Sequence, residues 1–114
     1  MPYLKIQSNA DIPEEKKETI LQRLSTTVAE SLGKPERYVM VALEPSATMI
    51  FSGEQAPCAY LELKSIGLPE DSTADLSRTL CATVSELLAI PPERIYIEFA
   101  NAPRRLWGWN GATF

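Results

Sequence analysis

The chain repeats itself at an interval of 57 residues. Tyr3-Leu4 recurs as Tyr60-Leu61, Ser8 as Ser65, and Pro35-Glu36-Arg37 as Pro92-Glu93-Arg94. Each match is short, but all share one offset and they fall at both ends of the unit. Two copies, 1–57 and 58–114, account for the whole 114 residues and point to one duplicated domain. Whatever one copy folds into, the chain must accommodate twice.

The first copy reads as strand, helix, strand. Pro2 to Gln7 alternates, with Leu4 and Ile6 on one face and Tyr3, Lys5 and Gln7 on the other. Ser8-Asn9-Ala10-Asp11 turns the chain, and Pro13 suits a first helical turn with Glu14 and Glu15 at its positive end. Ile20, Leu21, Leu24, Val28 and Leu32 then recur at helical spacing, Gly33 ends the helix and Pro35 prevents its return. Tyr38 to Leu43 is nearly continuous apolar, the pattern of a strand covered on both faces. Thr48 to Phe51 reads as a further short strand, and Ser52-Gly53-Glu54 as a turn.

The second copy repeats the plan. Ala59 to Ser65 is a strand, Pro69 to about Ala89 a helix with Leu76, Leu80, Val84, Leu87 and Leu88 on one face, and Ile95 to Phe99 a strand. Within each β-α-β unit the two strands are expected to be parallel with a right-handed crossover. The pair makes an α+β fold, a four-stranded mixed sheet with both helices on one face. Two helices cannot cover the second face, so other copies of the chain are the simplest cover and a closed homo-oligomer is expected.

The sequence narrows function by exclusion. A net charge of −4 argues against nucleic-acid and anionic-membrane partners, and Arg104-Arg105 reads as a solvated loop. With no apolar run of membrane-spanning length and no basic-then-apolar leader, cytoplasmic is the expected location. Cys58 and Cys81 show no metal-ligand or redox spacing and read as reduced, partly buried thiols. There is no histidine, so a base that works near neutral pH must come from elsewhere. Pro2 offers one. Beside Met1 it is small enough for methionine removal, which would expose a secondary amine. An α-amino group titrates near about 7.7–8.0, and burial or a nearby cation lowers it further.

Met1-Pro2, Gly33-Lys34-Pro35 with Tyr38, Pro57-Cys58-Ala59, Ser65-Ile66-Gly67, Arg94-Ile95-Tyr96-Ile97 and Gly108-Trp109-Asn110 with Thr113-Phe114 follow one another along the full length. In that order they resemble the macrophage migration inhibitory factor family of the tautomerase superfamily. The resemblance implies a homotrimer with a central channel, helices outside, and pockets between neighbouring subunits. It implies keto–enol tautomerisation of aryl α-keto acids such as phenylpyruvate, with dopachrome isomerisation as a related activity and no metal or cofactor. Pro2 would be the base and Lys34 the partner of the substrate carboxylate, its charge also disfavouring protonation of Pro2. Ile66 matches a pocket position whose backbone meets substrate, and Tyr96 would come from the neighbouring subunit as a wall bearing a hydroxyl. Tyr38, Trp107, Trp109 and Phe114 would supply the apolar surround, although aromatics in strands serve more often as core or interface.

Two departures from the family matter. Where members with thiol–disulfide activity carry Cys-x-x-Cys, this chain has Cys58-Ala59-Tyr60-Leu61. Where the better-known members place asparagine two residues after the pocket tyrosine, it has Glu98. A carboxylate there repels an acid substrate and raises the Pro2 pKa unless Lys34 or an arginine neutralises it. Three readings stand at this point: the tautomerase, another proline-dependent superfamily enzyme acting on a related acid, and a non-catalytic, cytokine-like protein with a receptor. Some animal members of the family are secreted, so non-classical secretion is compatible with the last of these.

Overall fold

The computed structural model, which describes residues 1–114, folds each repeat into a strand, a helix and a second, parallel strand. The first unit comprises β1 (Tyr3–Ser8), α1 (Glu14–Leu32) and β2 (Met40–Glu44). The second comprises β3 (Ala59–Ile66), α2 (Thr73–Leu88) and β4 (Ile95–Ala102). The units join through an antiparallel β1–β3 pair that sets Tyr3 opposite Lys64 and Gln7 opposite Tyr60. The sheet order is therefore β2-β1-β3-β4. No helix is long and apolar enough to cross a membrane.

The core follows from the two periodicities. Leu4 and Ile6 of β1 and Leu61 and Leu63 of β3 face one way and are fully buried. They meet Ile20, Leu24 and Val28 of α1 and Leu76, Leu80 and Val84 of α2 in one cluster. Each such side chain contributes about 1.5–3 kcal/mol on burial, and truncating one to alanine costs about 2–5 kcal/mol. The helix ends differ in quality. Gly33 takes the left-handed conformation at φ 62°, and its N–H and that of Lys34 reach the carbonyls of Glu30 and Ala29. α2 ends on Ala89 in the same region at φ 56°, where a Cβ costs roughly 1–2 kcal/mol. Its start is also tighter than the pattern predicts, since Glu70–Ser72 forms a single 3-10 turn ahead of Thr73.

Two expectations are corrected. Thr48 to Phe51 is not a strand: Phe51 only bridges Glu54, and its carbonyl also accepts from Arg94 instead of joining a ladder. Tyr38 lies in a 3-10 turn, and β2 is an edge strand with half-buried residues and Met40 65% exposed, so this apolar run is not covered on both faces within the chain. The helix-free face of the sheet is mixed. It carries Lys5, Gln7, Glu44, Tyr60, Glu62, Lys64 and Glu98, with Lys5–Glu44 at 3.6 Å and Lys64–Glu62 at 3.7 Å. The same face also carries Met40 and Tyr96, 65% and 63% exposed, so it offers apolar surface that no element of this chain covers. Ile50, Leu106 and Trp109 are further exposed apolar groups.

A hairpin not anticipated from the repeat closes the chain. β5 (Gly108–Trp109) pairs with β6 (Ala112–Thr113) around Asn110-Gly111, both at positive φ as a two-residue turn of this kind requires.

Candidate active site

The head of β1 is held at one end of the sheet by backbone bonds. The Met1 α-amine donates to the Tyr38 carbonyl at 3.0 Å, and the Met40 N–H donates to the Pro2 carbonyl at 3.0 Å. Pro2 has no N–H to give, so it fits here without leaving a donor unpaired. It is buried, and it forms part of the wall of a cavity of about 470 Å³.

Aromatic side chains build the rest of that wall. Tyr38 meets Trp109 edge-on at 5.8 Å and Phe114 at 6.0 Å, while Trp109 and Phe114 stack at 5.5 Å. Pairs of this kind contribute about 0.5–1.5 kcal/mol beyond their burial, and here they fasten the β5–β6 hairpin to the turn before β2. Trp107 lines the same cavity, half-buried. The charged side chains in the lining are Arg37 and Lys64.

Lys34 stands close by without lining the cavity. The left-handed turn at Gly33 sends the chain back across the end of the sheet, and a Cβ on Gly67 would lie only 3.9 Å from Lys34 Nζ. Lys34 has no ion-pair partner. Its charge reaches the chain terminus. The Met1 α-amine is held below its ordinary value of 8.0, first by burial and second by Lys34. With Met1 in place the Pro2 nitrogen is a peptide nitrogen; removing Met1 turns it into the terminal amine, one residue further into the buried end.

The other sequence candidates divide. Tyr38 and Trp107 join Pro2 in one cavity. Ile66 is buried at the end of β3 and does not line the cavity; its neighbour Gly67 is what approaches Lys34. Tyr96 and Glu98 are elsewhere in the chain. Tyr96 pairs with Tyr60, which pairs with Gln7, five residues along β1 from Pro2 and so about 17 Å away along the strand alone. Tyr96 lines a second cavity of about 650 Å³ with Phe51, whose ring lies 4.6 Å from its own.

The family model described as Macrophage migration inhibitory factor (MIF) matches residues 1–114. The chain belongs to the MIF family, within the tautomerase superfamily. It is similar to the macrophage migration inhibitory factor of Rattus norvegicus, at 36% identity over 118 aligned residues spanning 100% of this chain and 99% of the relative. To the homolog of Brugia malayi it is 37% identical over 117 residues, again spanning 100% and 99%. The crystal structure of the homologue from Prochlorococcus marinus superposes with a TM-score of 0.92 at 44% identity, covering 98% of each chain.

Within this MIF-family chain, Arg37 and Lys64 are the charged cavity residues that sequence reasoning missed. Arg37 had a local signal, its place beside Tyr38. Lys64 had none, because only the antiparallel register with Tyr3 brings it to the head of β1.

Proposed function

We propose that this MIF-family chain is a keto–enol tautomerase of small aryl α-keto acids such as phenylpyruvate, with Pro2 as general base. One observation carries the reading: a buried proline at the chain head walls an aromatic cavity, and the Met1 α-amine beside it is depressed first by burial and then by Lys34. An amine held neutral accepts a proton without any histidine. It takes the proton from the carbon next to the keto group, and the C–H electron pair becomes the C=C bond as the carbonyl π pair moves to oxygen. A proton returned to that oxygen gives the enol. Lys34 pairs with the substrate carboxylate, with the Ile66–Gly67 backbone beside it, and Tyr38 and Trp107 flank the ring.

The working form is a homotrimer in the cytoplasm. Tyr96 and Glu98 lie too far from Pro2 within one chain, and exposed Met40, Ile50 and Tyr96 at the sheet margins supply apolar surface for a neighbouring copy. A neighbour then brings its own Tyr96 and Glu98 to the pocket. Dopachrome, which undergoes the same kind of proton shift, is the second substrate to assay.

The test uses purified protein freed of Met1, assayed with phenylpyruvate and weighed by sedimentation equilibrium. Pro2→Gly should lower kcat/KM by about 10²–10⁴-fold while the trimer mass persists. Unchanged turnover in that variant ends the base assignment, and a monomer mass ends the shared pocket. A wild-type trimer inactive toward a range of keto acids would favour the non-catalytic, receptor-binding reading.

A further inference from the structure

The charged residues of the Pro2 cavity carry information about what occupies it. The chain has 15 acidic and 11 basic side chains, yet the cavity lining holds Arg37 and Lys64 and no aspartate or glutamate. Lys34 adds a third cation at the reacting end, so even with one Glu98 from a neighbouring copy a monoanionic keto acid leaves positive charge unmatched.

Arg37 is poised for recognition. Its guanidinium lies 4.8 Å over the Tyr38 ring, which orients the planar fork at the cavity wall. It has no carboxylate partner. Its neighbour Glu36 turns toward α1, where Thr26 Oγ1 lies 3.5 Å from its carboxylate. Lys64 sits beside Tyr3 on the adjoining strand. Its contact with Glu62 is a long 3.7 Å with both side chains partly in solvent, a pair that holds the ammonium weakly. A volume of about 470 Å³ is within the usual range of about 300–1,000 Å³ for small-molecule sites and accommodates a ring with a substituent.

We infer that Arg37 and Lys64 form a second anion anchor, so that the favoured substrate is an aryl α-keto acid bearing a further carboxylate on its ring. This rests on the proposed tautomerase reading for the chemistry, but not for the binding. Lys34 takes the keto-acid carboxylate, and Arg37 with Lys64 takes the ring carboxylate, Arg37 in bidentate fashion.

Binding and turnover are tested separately on the Met1-free protein. Fluorescence of Trp107 and Trp109, both in the cavity wall, reports the binding of two probes, para-carboxyphenylacetate as dianion and phenylacetate as monoanion. Wild type should prefer the dianion by about tenfold, the size of one charge-assisted contact. Arg37→Gln and Lys64→Gln should each reduce that ratio severalfold, with Arg37→Lys intermediate. Turnover should follow the same ordering when para-carboxyphenylpyruvate and phenylpyruvate are compared by kcat/KM. A wild-type ratio near one, or a ratio that neither glutamine variant changes, overturns the anchor. Dianion preference in a protein that tautomerises neither keto acid would uphold the anchor and sink the tautomerase reading. Turnover of phenylpyruvate without dianion preference would do the reverse.

Discussion

The Tyr60 hydroxyl donates a 3.0 Å hydrogen bond to Glu98 Oε1 across the β3–β4 pair. Tyr60 stands opposite Tyr96 and Glu98 opposite Glu62, so the bond runs diagonally over the helix-free face of the sheet. It engages the carboxylate at the position that the family resemblance marks as a departure.

That bond holds the Tyr60 phenol above its ordinary value of 10.0, through the hydrogen bond first and then through burial and the charges of Glu98 and Glu62. Glu98→Gln should bring one tyrosine midpoint back down in an ultraviolet titration near 295 nm, relative to wild type. A titration curve identical to wild type would show that the bond does not persist in solution. On the functional reading, Glu98→Asn should also raise kcat/KM for phenylpyruvate severalfold by removing a charge that repels acid substrates.

Lys34 should be visible in the titration of the terminal amine. The folded-state value lies below 8.0, so between that value and 8.0 the unfolded chain binds more protons and stability rises with pH. Lys34→Ala removes one of the two causes, moves the amine midpoint up toward 8.0 and narrows the window. ¹⁵N-detected NMR of the Met1-retained protein measures it, and a midpoint unmoved or lowered would contradict the assignment. In turnover, the same variant should raise KM more than it lowers kcat, because the substrate carboxylate is charged in ground and transition states alike.

Arg94 organises the loop that β-pairing leaves unsupported. Its guanidinium donates to the carbonyls of Pro57 at 2.9 Å, Ala56 at 3.0 Å, Phe51 at 3.1 Å and Glu54 at 3.3 Å, and lies 5.2 Å over the Phe51 ring. Arg94→Ala should cost about 2–3 kcal/mol in urea unfolding, since the partly exposed carbonyls regain water. Arg94→Lys should recover less than half, because an ammonium cannot span the same fork. A loss below about 0.5 kcal/mol for Arg94→Ala would show that the loop holds itself.

Neither thiol is built for redox work. Cys58 is buried, with its backbone N–H bonded to Asn9 and its carbonyl to Ser8, and Leu61 occupies the place of a resolving thiol. Burial and the charge of Glu93 push the Cys81 thiol up, away from the reactive thiolate. The protein should therefore reduce insulin disulfides no faster than background. Reduction that disappears in Cys58→Ser would refute this.

The sequence alone determined what is local. Leu4 and Ile6 alternate, Leu24 and Val28 recur at helical spacing, Gly33 is free to turn left-handed, and a 57-residue repeat copies the plan; each signal acts within a few residues of itself. Pro2 and Lys34 stood out as candidates because each sits at the end of an element, where its chemistry shows in the chain. The relation between the copies was not local, and only the tertiary structure decided it. The antiparallel β1–β3 register brought Lys64 to Tyr3, sent Tyr96 to the opposite end of the sheet and set Glu98 two strands away from β1, level with Lys5. Continuous hydrophobicity from Tyr38 to Leu43 does not show that β2 lies at the sheet's edge, and strand order is set by packing across the whole core.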